Sequence, residues 1–287
     1  MNFEKAAHFI WKHGRLLERR LFEYVFFGGS QSRVLDALKA YQNEDGGFGH
    51  ALEPDLRTPE SQPLYIEFGL RMLYDAKIHD AELAYQVCGY VSRHADLKKG
   101  IPTITASSGS YPRAEHWNNP TAVQPSFSRL TSLVGLLRWQ GIQHPWLDRA
   151  VDICLKDISS TRYEDSHTLL NAFCLLESLP QTDAIQLLYT KLSEELFQAK
   201  FFCLEAPPRT YGLTPLDFSP ASDSYCRRLF SDQTIHDHLL VLESQQEEDG
   251  GWPIPWEPPG EMAKLEWRAY KTLKSVITLE SYKTDFK

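Results

Sequence analysis

Gln42-Asn43-Glu44-Asp45-Gly46-Gly47-Phe48 and, 204 residues later, Gln246-Glu247-Glu248-Asp249-Gly250-Gly251-Trp252 are one turn written twice. The Gly pair permits the left-handed backbone that follows a helix end, and the Asp accepts from nearby backbone N–H groups. The aromatic then packs on the next helical hairpin, and the Gln amide, donor and acceptor at once, can brace one helix end to the start of another. The helices leading into the turn align too, Leu35 with Leu239 and Leu38 with Leu242. A fainter third copy closes the segment Leu136-Leu137-Arg138-Trp139-Gln140-Gly141. A period near 50 residues suits two-helix repeats.

Outward from these turns, apolar residues recur at three- and four-residue spacing, which predicts helices over 3–26, 31–43, 62–75, 79–96, 126–141, 145–158, 164–179, 182–200, 231–246 and 261–280. Pro and Gly gather in the long connections 44–61, 97–125, 201–230 and 247–260, lengths that belong to binding loops. The β-branched run Ile101 to Thr105 contains Pro102 and leads into Ser107, Ser108 and Gly109, so it reads as loop. The expectation is an all-α chain of five to six hairpins forming one domain over 1–287.

A formal charge of -8 repels phosphate backbones and anionic lipid surfaces, so nucleic acid is not an expected partner. Arg15, Arg19 and Arg20, or Arg227 and Arg228, are local basic clusters that hold one anion or simply form solvated helix faces. Five cysteines without a Cys-x-x-Cys pair read as free thiols in a reducing compartment. No stretch approaches the ~20 apolar residues needed to cross a bilayer. A cytoplasmic protein is expected.

The repeated Gln-x-x-Asp-Gly-Gly-Phe/Trp turn resembles the Gln-and-Trp repeat of squalene-type cyclases, and Gly46 to Gly49 is similar to turns in protein prenyltransferase β-subunits. The resemblance to the terpenoid cyclase and protein prenyltransferase superfamily implies an (α/α) toroid of about six hairpins, with its site at a loop-rich mouth. It also implies an apolar, isoprenoid small-molecule substrate. The catalytic motifs of that superfamily are missing: the chain has no Asp-x-Asp-Asp and no Asp-Asp-x-x-Asp. Asp152-Ile153-Cys154 matches the zinc-binding Asp-x-Cys pair, with His167 as distant partner, but its surroundings do not match. Neither metal nor cofactor is expected. Glycoside-cleaving enzymes with an (α/α) toroid are the alternative by architecture, and a non-catalytic binding or scaffold toroid is a third reading.

Directly after the first turn, His50-Ala51-Leu52-Glu53-Pro54-Asp55-Leu56-Arg57 sets an imidazole, two carboxylates and a guanidinium within eight residues. Asp55 or Glu53 is the candidate general acid, with His50 and Arg57 orienting; the competing reading is a capped turn in which Arg57 pairs with Asp55. Asp217, in the loop before the second turn, is a candidate partner carboxylate or an ordinary turn residue. Trp117, His167, Tyr211, Trp252, Trp256 and Trp267 complete the candidate substrate-binding set, since rings on loops and helix starts can wall a ligand or simply fill a core.

Overall fold

A computed structural model describes residues 1–283. Among these described residues twelve α-helices run in the order α1 Phe3–His13, α2 Leu16–Phe27, α3 Gln31–Lys39, α4 Pro63–Asp75, α5 Ala81–His94, α6 Phe127–Trp139, α7 Pro145–Ser160, α8 Ser166–Glu177, α9 Asp183–Leu196, α10 Pro215–Phe218, α11 Asp232–Ser244 and α12 Glu261–Ser281. Among the described residues there are isolated β-bridges and no named strand. The run at Ile101 is loop, as its Pro102 dictates, tied by one bridge to Ser126.

Helix starts follow from local chemistry. Asn2, Asp80, Ser126 and Ser231 accept backbone N–H groups as N-caps of α1, α5, α6 and α11, and Pro63 and Pro145 open α4 and α7, where a missing N–H costs nothing. The expected single helix over 3–26 is two. Gly14 leaves the helical conformation at φ -67, ψ 146, and a Cβ there would meet the Ile10 carbonyl at 2.7 Å. Arg15 then turns its guanidinium onto the fully buried Glu18 and Arg19 donates to the Gly14 carbonyl at 2.8 Å. Together with the Arg20–Glu23 pair, these bonds commit the first basic cluster to local structure.

Contacts divide the chain into two compact units. One comprises Met1–Ala37, Asp165–His167 and the chain from Leu196 onward; in it α12 packs on α1, α2 and α11, and α10 packs on α11. The other comprises Leu38–Glu164 and Thr168–Glu195, with α6 packed on α4, α5 and α7. Gly135 lets α6 approach α8, because a Cβ there would lie 2.8 Å from the Leu175 nitrogen. Among the described residues, no helix is long and apolar enough to cross a membrane.

Each unit holds one copy of the repeated turn, and the two match bond for bond. Asn43 N–H donates to the Gly47 carbonyl and Glu247 N–H to that of Gly251, both at 2.9 Å; Asp45 and Asp249 each accept from the second Gly N–H. Gly46 and Gly250 take φ of 84 and 92, and Gln42 and Gln246 each donate to the carbonyl of that Gly. The Gln brace is also present. Gln246 accepts from the Asn2 N–H at 2.7 Å and donates to the Asn2 carbonyl at 2.9 Å, clasping the cap of α1. Gln140, in the faint third copy, accepts from the Asp80 N–H at 2.8 Å and donates to the Ile78 carbonyl at 3.1 Å, fixing the start of α5.

Candidate functional site

After Phe48 the chain must reverse within a few residues, and two consecutive non-glycine residues, His50 and Ala51, take φ of 57 and 58 to do it. Such backbone is strained and persists only where its surroundings hold it. Here the His50 and Ala51 N–H groups donate to the Pro59 and Thr58 carbonyls, and the His50 ring meets the Asn43 amide oxygen at 2.9 Å. Gly49 is obligatory on space alone, since a Cβ would sit 2.0 Å from the Pro59 carbonyl oxygen. The reversal sends Leu52 and Leu56 into the core, and the carboxylates between them go in as well: Glu53 is 4% and Asp55 2% exposed.

Two buried carboxylates need compensation, because each pays a desolvation penalty. Glu53 accepts the Asp55 N–H at 3.0 Å. The Asp55 Oδ2 lies 3.6 Å from Nε2 of His116, whose side chain is 48% exposed, so that imidazole stands between Asp55 and solvent. The segment around His116 is pinned in register: Ala114 N–H donates to the Asp55 carbonyl at 2.8 Å and Arg57 N–H to the Pro112 carbonyl at 3.0 Å. Burial holds the His116 pKa below the usual imidazole value, so the ring is neutral at neutral pH.

On the helices beside the loop, Glu67 and Arg71 of α4 and Arg129 and Ser132 of α6 form one polar network. Arg129 pairs with Glu67 through Nη1, and Arg71 donates to Ser132 at 3.3 Å. Burial pulls the Arg129 pKa down to about 10 against the opposing pull of Glu53's negative charge. The Arg129 Nε–H is buried and has no hydrogen-bond partner among the described residues. Further along, Asn171 of α8 donates to the Ser128 carbonyl at 3.3 Å, and the Tyr74 hydroxyl donates to Glu177, with burial driving that phenol's pKa up.

Of the sequence candidates, Glu53, Asp55 and Trp117 come together: the Trp117 ring lies 4.6 Å from that of His116, and its indole N–H is buried without a partner among the described residues. Arg57 is half-buried in the same loop and acts electrostatically, with Glu53, on the buried Tyr65 phenol. His50 serves the turn. Trp252 is fully buried and donates its indole N–H to the Leu242 carbonyl at 2.7 Å, a structural brace. Asp217 is exposed and its carboxylate accepts from the Thr214 N–H and hydroxyl at 2.7 and 2.9 Å, closing a capping box on α10. Trp256 and Trp267 pack edge to face at 5.2 Å. His167 and Tyr211 face each other with rings 15° apart and the Tyr hydroxyl 3.2 Å from Nε2, a surface pair beside exposed Phe201.

His116, Glu67, Arg71 and Arg129 escaped the reading of sequence. The Glu67 to Arg71 spacing on an otherwise apolar helix, and Arg129 three residues into another, are the signals that could have exposed three of them. His116 sits in a 3₁₀ turn, where periodicity says nothing. Among the described residues, no three His, Cys, Asp or Glu side chains are grouped to hold a metal ion. In the first unit a surface cleft of about 280 Å³ is lined by Phe3, Leu239, Leu240, Leu279 and Tyr282, and by none of the candidates.

This loop-borne acidic pair stands on an all-helical scaffold. No family model and no curated protein matches the chain. Among solved structures, it is similar over 98% of its length to 98% of a crystal structure of a protein from Actinoplanes, at 12% identity and a TM-score of 0.56. At that identity the likeness shows a shared fold.

Proposed function

We propose that the chain uses the hairpin scaffold of the cyclase and prenyltransferase superfamily for acid–base chemistry on a hydroxyl-rich, carbohydrate-class small molecule, with Asp55 and Glu53 as the working carboxylates. The carrying observation is that both are buried side by side on a loop whose backbone is locked in a strained conformation. Capping that loop needs one carboxylate at most. The surroundings favour a polar ligand over an isoprenoid: guanidinium, hydroxyl and indole N–H donors border the pair, where a carbocation would require an apolar aromatic wall.

In glycoside cleavage one carboxylic acid protonates the departing oxygen, and a second carboxylate takes the proton of the attacking water or attacks the sugar itself. Asp55 suits the acid, with the half-exposed His116 imidazole 3.6 Å from its Oδ2. Glu53, facing the Arg129 charge, is the candidate base or nucleophile. Thermal-shift measurements with monosaccharides, oligosaccharides, prenyl diphosphates and squalene-like oils test the reading, since a ligand of the native state must stabilise it. Sugars should raise Tm in the native protein, and Asp55→Asn and Glu53→Gln, folded by circular dichroism, should lose glycoside turnover. Stabilisation by isoprenoids alone, or undiminished turnover in Asp55→Asn, overturns it.

A further inference from the structure

We propose that residues 106–121 form a lid over the Glu53–Asp55 pair which opens to admit ligand, a step that rests on the acid–base role given to that pair. Glu53 and Asp55 cannot meet a solute while 4% and 2% exposed, so part of the chain around them must move. The loop that carries them is locked by its hydrogen bonds at His50 and Ala51, and α4 and α6 pack on each other in the core. What remains is the cover. Of residues 106–121, Ser108 and Ala114 are buried and Tyr111, Arg113 and Trp117 half-buried, so little apolar burial holds the segment down.

The segment is built to move as one piece between two fixed ends. At its base the Ile104 N–H donates to the Ala122 carbonyl at 3.0 Å, and the Thr105 N–H to Oε1 of fully buried Gln62 at 2.7 Å. A segment that leaves and returns at neighbouring points is a compact Ω-type loop. Inside it, Tyr111 N–H donates to the Ser108 carbonyl, Trp117 N–H to that of Ala114, and the Arg113 guanidinium to the Ser108 carbonyl and the Asn118 side chain, bonds that travel with it. The bonds that opening breaks lie across the seam: Ala114 N–H to the Asp55 carbonyl at 2.8 Å, Arg57 N–H to the Pro112 carbonyl at 3.0 Å, and the Tyr111 hydroxyl to Glu60 at 3.0 Å. Opening also draws His116 away from Asp55, and it gives the Trp117 indole N–H, buried without a partner among the described residues, access to one.

Hydrogen exchange of the full chain, read residue by residue without ligand, tests the opening. The Ala114 and Arg57 amides should exchange together, at rates nearly independent of low urea, while buried Leu133 of α6 exchanges through urea-dependent global unfolding. Tyr111→Phe cuts one bond across the seam and should speed exchange at both amides about fivefold. Carbodiimide with glycine ethyl ester reads access to the carboxylates directly. Asp55 should be labelled in the native chain, and about fivefold faster in Tyr111→Phe. Exchange at Ala114 and Arg57 that shares the urea dependence of Leu133, rates unmoved by Tyr111→Phe, or an Asp55 labelled only in unfolding urea overturns the lid. Opening and labelling as expected, with no sugar bound, overturns the carbohydrate reading and leaves the lid standing.

Discussion

Replacing Gly46 by Ala, beside the same change at Gly141, measures how tightly the repeated turn is built in. Both glycines have positive φ, 84 and 77, so each substitution carries the left-handed penalty of about 1–2 kcal/mol. They differ in space. A Cβ on Gly46 would fall 2.7 Å from the Gln86 carbonyl oxygen, backbone that cannot swing aside, whereas one on Gly141 meets nothing within 4 Å. Relief at Gly46 must come from the turn itself, weakening the Gly46 N–H to Asn43 bond of 2.9 Å and the Gln42 amide to Gly46 carbonyl bond of 3.2 Å, about 1 kcal/mol each. Gly46→Ala should therefore cost about 3 kcal/mol and Gly141→Ala about 1 kcal/mol. With an unfolding entropy of about 2.1 cal/mol/K per residue, those costs lower Tm by about 5 °C and about 2 °C, read from far-UV circular dichroism melts. Equal shifts would refute the account, showing that the turn relaxes freely around an added methyl group.

Asp217→Ala should remove the capping box of α10 at a cost of about 1 kcal/mol in urea unfolding and leave sugar binding unchanged; lost binding would mean that Asp217 does more than cap. Stability should fall as pH drops below 6.5, because burial depresses the pKa of His13 and His116 in the folded chain and the unfolded chain takes up those protons first. The midpoint of urea unfolding, followed from pH 7 to pH 5, checks this, and His116→Asn should flatten the slope; an unchanged slope removes His116 from the explanation. Of the five cysteines, Cys203 alone is not buried, and Cys88 and Cys154 are pushed up to about 11 by burial. A native thiol titration should show one fast-reacting group and four slow ones, and two or more fast groups would contradict the packing.

The helices were legible because their apolar spacing is strong and their caps and prolines sit where the ends fall. The break at Gly14 was not, since apolar periodicity continues through it and a glycine within a helical pattern does not by itself announce an end. The repeated turn was legible down to its hydrogen bonds, because glycine, aspartate and glutamine have few other uses in that order. Burial of Glu53 and Asp55 was partly legible from the Leu52 and Leu56 that flank them. His116 and the Glu67–Arg129 pair come from separate helices and loops, and nothing local marks residues that meet only on folding. The candidate rings illustrate the reverse: Trp252 was open to either use, ligand wall or core filling, and is a core brace whose indole N–H finds a carbonyl ten residues back.

Gln246 holds Asn2 across 244 residues, and that clasp imposes a schedule on synthesis. At ribosomal speeds of about 5–20 residues per second, the first helix is made roughly 12–50 s before the glutamine that secures it. The partner that covers Phe9 and Ile10, α12, arrives later still. Throughout that wait a nascent chain presents this apolar face to solvent, where a chaperone or a passing copy of the same chain competes for it. A ribosome stalled before residue 246 therefore leaves the unit that ends at Glu195 whole and α1 without its clasp or its cover.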